Sequence, residues 1–288
     1  METKELLKKI RHLEIKTKGL TKHIFSGEYH AAFKGRGMTF SEVRDYQFGD
    51  EVRTIDWNVT ARFNNPYVKI FDEERELTVM LIIDVSGSED FGTETKTKKD
   101  LALEIAAVLS FSAISNNDKV GAIFVSDKVE RYIAPKKGKK HALVILRELI
   151  ELKPENKGTN ISEALKFFRN TQKKRSIAFV ISDFVDENDY MEGLKVSGKK
   201  HDIVAIRLFD ESEHMLPSVG IVQLFNAETG ATTWVNSNNP KVREQHRRNF
   251  EAFEEKLFRE FQKSGIDYAS IATENDYIKP LVHLFQNR

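Results

Sequence analysis

The chain has 288 residues, 45 Lys+Arg against 44 Asp+Glu for a formal net charge of +1, 40% hydrophobic residues and 20 Phe. This suits one large domain or two small ones with a real core, and the cancelling charges give no global argument for nucleic-acid binding. The absence of cysteine excludes disulfides, thiolate nucleophiles and Cys-ligated zinc.

The first ten residues carry acids and lack an apolar stretch with a small-residue cleavage site, so they do not read as a signal peptide. Residues 4–24 place Leu6, Leu7, Ile10, Leu13, Leu20 and Ile24 at helical spacing among Lys4, Lys8, Lys9, Arg11, Lys16, Lys18 and Lys22. A basic amphipathic helix is expected, read first as a solvated outer face and alternatively as a peripheral membrane contact. Residues 27–76 show no clear period. Gly35 and Gly37 punctuate a loop, with no following Gly-Lys-Ser/Thr to make a P-loop, and Gly49-Asp50 marks a turn. The segment is dense in Arg44, Tyr46, Asp50, Arg53, Asp56 and Trp57. It predicts a small module in which Arg53 pairs with Asp56 and Trp57 packs, locking the module against the next domain. Alternatively, these residues form an interface.

From residue 76 the pattern clears. Residues 77–83 form a continuous apolar strand, far short of the roughly 20 residues that span a bilayer. A helix apolar on nearly every side follows at 99–114, then a strand at 120–125 and an edge strand at 129–133. Helices are expected at 141–152 and 161–169, the second with Asn160 and Glu163 in capping-box spacing. Strands at 176–182 and 202–208 flank a weak helix at 187–195. A hairpin (221–225 and 232–235), a long amphipathic helix (241–263), a strand (266–272) and a short helix after Asp276 complete the chain. This alternation predicts an α/β, doubly wound, mostly parallel sheet with helices on both faces, preceded by an N-terminal helix and a small mixed module. The expected domains are 1–76 and 77–288.

In open α/β sheets ligands bind at the carboxyl ends of strands. Asp84-Val85-Ser86-Gly87-Ser88 follows the first strand, Asp183 follows the strand at 176–182, and Gly158-Thr159-Asn160 enters a helix. Singly, each is also an ordinary turn or cap. Together they are two carboxylates and three hydroxyls at one sheet edge, an all-oxygen set suited to Mg²⁺, Mn²⁺ or Ca²⁺ rather than zinc. The eight His show no ligand spacing, and the lysines of 136–140 read as a solvated loop.

Asp84-x-Ser86-x-Ser88, Thr159 and Asp183 resemble the metal-ion-dependent adhesion site of von Willebrand factor A domains. The chain further resembles a bacterial von Willebrand A-like family labelled a domain of unknown function. Its hallmark reads here Gly35-Arg36-Gly37-Met38-Thr39-Phe40, then Arg44-x-Tyr46-x-x-Gly49-Asp50-x-x-Arg53-x-Ile55-Asp56-Trp57, then Ala61-Arg62 and Glu74-Arg75-Glu76. The resemblance implies that Ser86 and Ser88 bind the ion directly, Thr159 directly or through water, and Asp84 and Asp183 mainly through water and hydrogen bonds behind the ligands. It leaves an open position for an acidic residue of a partner protein. A cytoplasmic, non-enzymatic, metal-dependent interaction domain is implied, a companion of MoxR-type AAA+ ATPases in protein or complex maturation. Glu89 departs from the Met usual in that family and bears on the open position. The alternative is a Mg²⁺-dependent phosphoryl-transfer or hydrolytic enzyme using the same ion, with Glu89 or Asp90 as base; no His or Lys falls at the site in the sequence.

Overall fold

The computed structural model describes residues 38–63, 65–73, 76–92, 96–156, 158–186, 188–225 and 232–288. The expected helix at 4–24 and the Gly35/Gly37 loop lie outside them. Strand β3 (Thr78–Asp84) is buried from Val79 to Asp84, as a central strand covered on both faces must be. It sits inside a six-stranded sheet of order β10-β7-β6-β3-β4-β5. The partners are β4 (Lys119–Val125), β5 (Val129–Lys136), β6 (Ile177–Ser182), β7 (Asp202–Phe209) and β10 (Asp267–Ala272). All pairings are parallel except that of the edge strand β5 with β4. The doubly wound α/β fold expected from the sequence is therefore present.

The two-residue period of β3 builds both halves of the core. Val79, Leu81 and Ile83 pack with Leu101, Ile105 and Val108 of helix α2 (Lys98–Ser115), and with α3 (Lys139–Glu151) and α8 (Ile278–Gln286). Met80 and Ile82 face the other way, toward Leu165 and Phe168 of α4 (Ile161–Thr171) and Phe261 of α7 (Pro240–Lys263). Helix α5 (Met191–Gly198) adds Leu194 to the second set, and short α6 (Glu211–His214) follows β7. Gly121 is needed where β5 bulges over β4: a Cβ there would lie 2.7 Å from the Ile133 carbonyl oxygen. Strands β8 (Ile221–Phe225) and β9 (Thr232–Asn236) form the expected hairpin. Among the described residues no helix is long and apolar enough to cross a membrane.

Ahead of this sheet, β1 (Met38–Asp45) pairs antiparallel with β2 (Tyr67–Glu73), and helix α1 (Trp57–Phe63) lies between them in sequence. The sequence reading assigned no elements here beyond a small mixed module. A bulge between Phe40 and Glu42 throws β1 out of alternation, which erases the period-two signal. The expected Arg53–Asp56 pair is not formed. Arg53 is exposed, while Asp56 accepts hydrogen bonds from the Asn58 and Val59 amides at 2.9 and 3.2 Å and meets Lys69 Nζ at 3.4 Å. Trp57 does not pack as expected; it is 66% exposed. The Arg–carboxylate contact that does form is Arg44 with Asp50, a bidentate pair at 2.8 and 2.9 Å that braces the Gly49 turn. Tyr46 is half-buried and ties its amide to the Pro66 carbonyl at 2.9 Å.

An exposed Arg53 makes Arg53→Ala nearly silent: its melting temperature should match wild type, a difference within about 0.5 kcal/mol. A large loss would restore the packing role that the geometry removes. His201 gives a pH test. It is 2% exposed, lies tilted against Phe168 with ring centroids 4.5 Å apart, and has no hydrogen-bond partner on either ring nitrogen among the described residues. Burial, then Lys200, Arg169 and Arg175, push its pKa down to about 4 from 6.5. Above pH 6.5 the ring is neutral folded or unfolded; between 6.5 and about 4 only the unfolded chain takes up the proton. Stability falls as pH falls through that window, by at most ~1.4 kcal/mol per pH unit from this residue. Urea midpoints should drop less steeply there in His201→Gln, and equal slopes would refute the assignment.

Candidate metal centre

Strands β3 and β6 are neighbours, with Ile83 opposite Ile181, yet the chain leaves them in opposite directions across the sheet, β3 toward β4 and β6 toward β7. Their carboxyl ends form the switch point where open α/β sheets take ligands. Asp84 ends β3 and Asp183 follows β6, so two buried carboxylates arrive side by side. Asp84 Oδ1 accepts from the Ser86 amide at 2.9 Å, and its Oδ2 accepts from Ser182 Oγ at 2.6 Å. Ser182 Oγ accepts in turn from the amide of Phe184, a residue at φ 59°. Asp183 Oδ1 accepts from the Val185 amide at 3.0 Å. Ser86 Oγ and Ser88 Oγ lie 3.1 Å apart, Ser86 buried and Ser88 half-buried at the rim.

Thr159 is buried on the same edge, in the loop that the Asn160 amide ties to the Ser126 carbonyl just beyond β4. Asn188 Nδ2 holds the Thr159 carbonyl from the other side at 3.3 Å. Asn160 caps α4 by accepting from the Glu163 amide at 2.9 Å, half of the capping box its spacing suggests. Asp84, Ser86 and Ser88 thus share one hydrogen-bonded network with Ser182, Asp183 lies beside it, and Thr159 is buried in the loop after β4.

Glu89 and Lys98 complete the cluster, and they change it. Glu89 lies on the 3-10 turn Gly87–Asp90 and is 1% exposed. One carboxylate oxygen each from Asp84, Glu89 and Asp183 lie within 4.8 Å of one another. Lys98, also 1% exposed, donates from Nζ to Asp183 Oδ2 at 2.7 Å and to Glu213 Oε1 at 2.9 Å. This corrects the sequence reading, which saw no Lys at the site. The expected helix began at 99, one residue too late to include Lys98. A sequence signal was present: a helix apolar on nearly every side buries its first turn too, and Thr97 with Asp100 marks that turn as a capping box. Glu213 gave no such signal, since it reaches Lys98 across 115 positions.

Burial raises the Asp84 carboxyl to about 7, with the Asp183 charge adding and the Ser182 and Ser86 hydrogen bonds opposing. Burial also lifts Glu89 well above the usual carboxylate range, Lys98 opposing while Asp84, Asp183 and Glu213 add. For Lys98 burial alone would lower the ammonium, but Asp183, Glu89 and Glu213 together outweigh it and hold it protonated. A divalent cation fits these residues. All the donors are oxygens, and neither oxygen of the buried Glu89 carboxylate receives a hydrogen bond. Ser86, Ser88, Asp84, Asp183 and Thr159 are the residues that would hold it. A cavity of about 590 Å³ beyond the β6 loop is lined by Phe184, Tyr190, Phe253 and Leu257 among others, and by no member of the cluster.

An uncharacterized protein of Mycobacterium tuberculosis is 30% identical over 281 residues, covering 97% of this chain and 88% of that protein. Among solved structures, an aerotolerance-related membrane protein of Bacteroides fragilis carrying multiple mutations to serines aligns at TM-score 0.51 and 16% identity, over 73% of this chain and 97% of that one. The conserved hypothetical protein BatB of Bacteroides thetaiotaomicron aligns at TM-score 0.50 and 16% identity, over 73% and 98%. At such identities the likeness concerns the fold alone. Residues 42–256 match the family model described as "Protein of unknown function DUF58", and the chain belongs to that family.

Proposed function

We propose that the protein is a non-enzymatic, divalent-metal-dependent protein–protein interaction domain, binding Mg²⁺ or alternatively Mn²⁺ or Ca²⁺. The observation that carries this reading is the all-oxygen cluster at the switch point, in which a buried Glu89 carboxylate lacks any hydrogen-bond partner. The ion supplies a positive centre that can hold a carboxylate of a partner protein. Ser86 and Ser88 offer neutral hydroxyls to it, and Ser182 and the Ser86 amide fix the Asp84 carboxylate behind them. Ser88, half-buried, marks the side from which a partner approaches. The sequence hallmark around Arg44 to Trp57 supports a cytoplasmic adaptor for a MoxR-type AAA+ ATPase in protein or complex maturation, and exposed Trp57 offers that module a contact surface.

Lys98 favours the second reading, a Mg²⁺-dependent phosphoryl-transfer or hydrolytic enzyme, because a cation beside an aspartate suits phosphoryl chemistry. Its geometry argues the other way. The ammonium is held between two carboxylates and stays protonated, so it is no general base, and Asp84 and Glu89 are almost wholly shielded from water.

Affinity capture from native lysate in Mg²⁺, in EDTA, and with Ser86→Ala separates these readings. Partners should be held by wild type in Mg²⁺ and lost in the other two arms, with an AAA+ ATPase among them. Equal capture in all three arms sinks metal-bridged recognition, and capture without an ATPase sinks the adaptor role. A further prediction concerns Lys98→Met. Removing one partner from a buried ion pair costs about 3–5 kcal/mol, so the ion-free variant should melt well below wild type. Added Mg²⁺ should stabilise the variant more than wild type, since the ion becomes the remaining cation beside Asp183. Equal Mg²⁺ shifts would mean that ammonium and ion do not share that carboxylate.

A further inference from the structure

Within the acidic cluster, hydrogen bonds are shared unequally. Asp84 accepts from Ser86 and Ser182, Asp183 from Lys98 and Val185, and Glu213 from Lys98 and, through Oε2, from the Asp210 amide at 3.1 Å. Among the described residues Glu89 accepts from nothing on either oxygen, although it is as buried as any of them. An ionised carboxylate so placed is among the costliest groups a protein can bury. Neutral or ionised, the carboxylate receives no N–H or O–H from the described residues.

The backbone, not the side chain, determines where Glu89 sits. Its amide donates to the Ser86 carbonyl and the Phe91 amide to the Ser88 carbonyl, both at 3.2 Å. The Lys98 amide then donates to the Phe91 carbonyl at 2.9 Å, closing the loop onto the start of α2. The turn that presents the Ser86 and Ser88 hydroxyls therefore also turns Glu89 inward, toward Asp84 and Asp183. Lys98 directs its hydrogen bonds to Asp183 and Glu213, so its charge acts on Glu89 without a hydrogen bond to either Glu89 oxygen.

We propose that Glu89 is a resident carboxylate ligand of the divalent ion, filling the coordination position otherwise left for a partner's acidic side chain. The proposal rests on the metal-site reading above and deepens it. The chain carries its own stand-in for the partner's carboxylate, and a partner engages the ion by displacing Glu89. A carboxylate ligand strengthens the hold on a hard cation and removes one water from it.

The test uses the full chain and Mn²⁺ alone, by calorimetric titration and by the relaxation of water protons at bound Mn²⁺. Relative to wild type, Glu89→Gln should bind Mn²⁺ about tenfold more weakly or worse, and each ion it does bind should relax water more strongly, since a coordination position has opened. Glu89→Met serves as the second variant and should show the same loss of affinity and gain in relaxation. If both variants bind Mn²⁺ within about twofold of wild type, with unchanged relaxation, while Ser86→Ala weakens binding, Glu89 is no ligand and the metal site stands without it. If wild type itself takes up no Mn²⁺ at millimolar concentration, this proposal and the metal-site reading fall together.

Discussion

The ammonium of Lys98 decides what the sheet edge can hold. Asp84, Glu89, Asp183 and Glu213 converge at the carboxyl ends of β3, β6 and β7, where like charges in a poorly solvated place repel strongly. One buried cation, hydrogen-bonded to Asp183 and Glu213, offsets part of that repulsion and pins the loop after β6 to the helix after β7. Its position follows from packing. Helix α2 buries all but Lys99, Asp100 and Glu104 between Lys98 and Ala113 because it crosses the sheet, and the Lys98 side chain is among those it encloses. The helix that stabilises one face of the sheet thereby also supplies the charge that makes the edge tolerable.

The doubly wound sheet was legible in the sequence, because its central strands are unbroken apolar runs and its helices carry clear stripes. Val79–Ile83 and Ile177–Ile181 are buried on both faces, a pattern that turns and surface strands do not mimic. The N-terminal module was less legible. The bulge in β1 cancels alternation, and its Arg, Asp and Trp residues suggested a buried lock. Arg53 and Trp57 instead face solvent, while Arg44 and Asp50 hold the turn. Composition alone pointed to Arg–carboxylate pairing but not to which Arg meets which Asp, since both Asp50 and Asp56 lie within reach of several basic residues along the chain.

The same division runs through the metal centre. Asp84, Ser86 and Ser88 were readable because they are close in sequence and follow a strand, and Asp183 and Thr159 because each sits at a strand or helix end. Ser182 reaches Asp84 across 98 positions, Lys98 reaches Asp183 across 85, and Glu213 reaches Lys98 across 115, contacts that only the fold brings together. Chemistry confined to one loop leaves a sequence mark. Electrostatic compensation gathered from four separate segments does not.

That compensation is also incomplete in an informative way. Ser182, the Ser86 amide and the Val185 amide hold Asp84 and Asp183 in fixed orientation, as residues that steady a metal's ligands do. Glu89 receives no such support, although its backbone is fixed by three hydrogen bonds through the Ser86–Lys98 loop. A fold with a rigid turn, satisfied carboxylates behind it and one unsatisfied carboxylate in front has separated the groups that orient a cation from a group suited to touch it. The two serine hydroxyls lie 3.1 Å apart on that same turn, so one turn carries both the hydroxyls and the unsatisfied carboxylate. The residue that departs from the resemblance is thus the one to which the geometry gives the most direct claim on the ion.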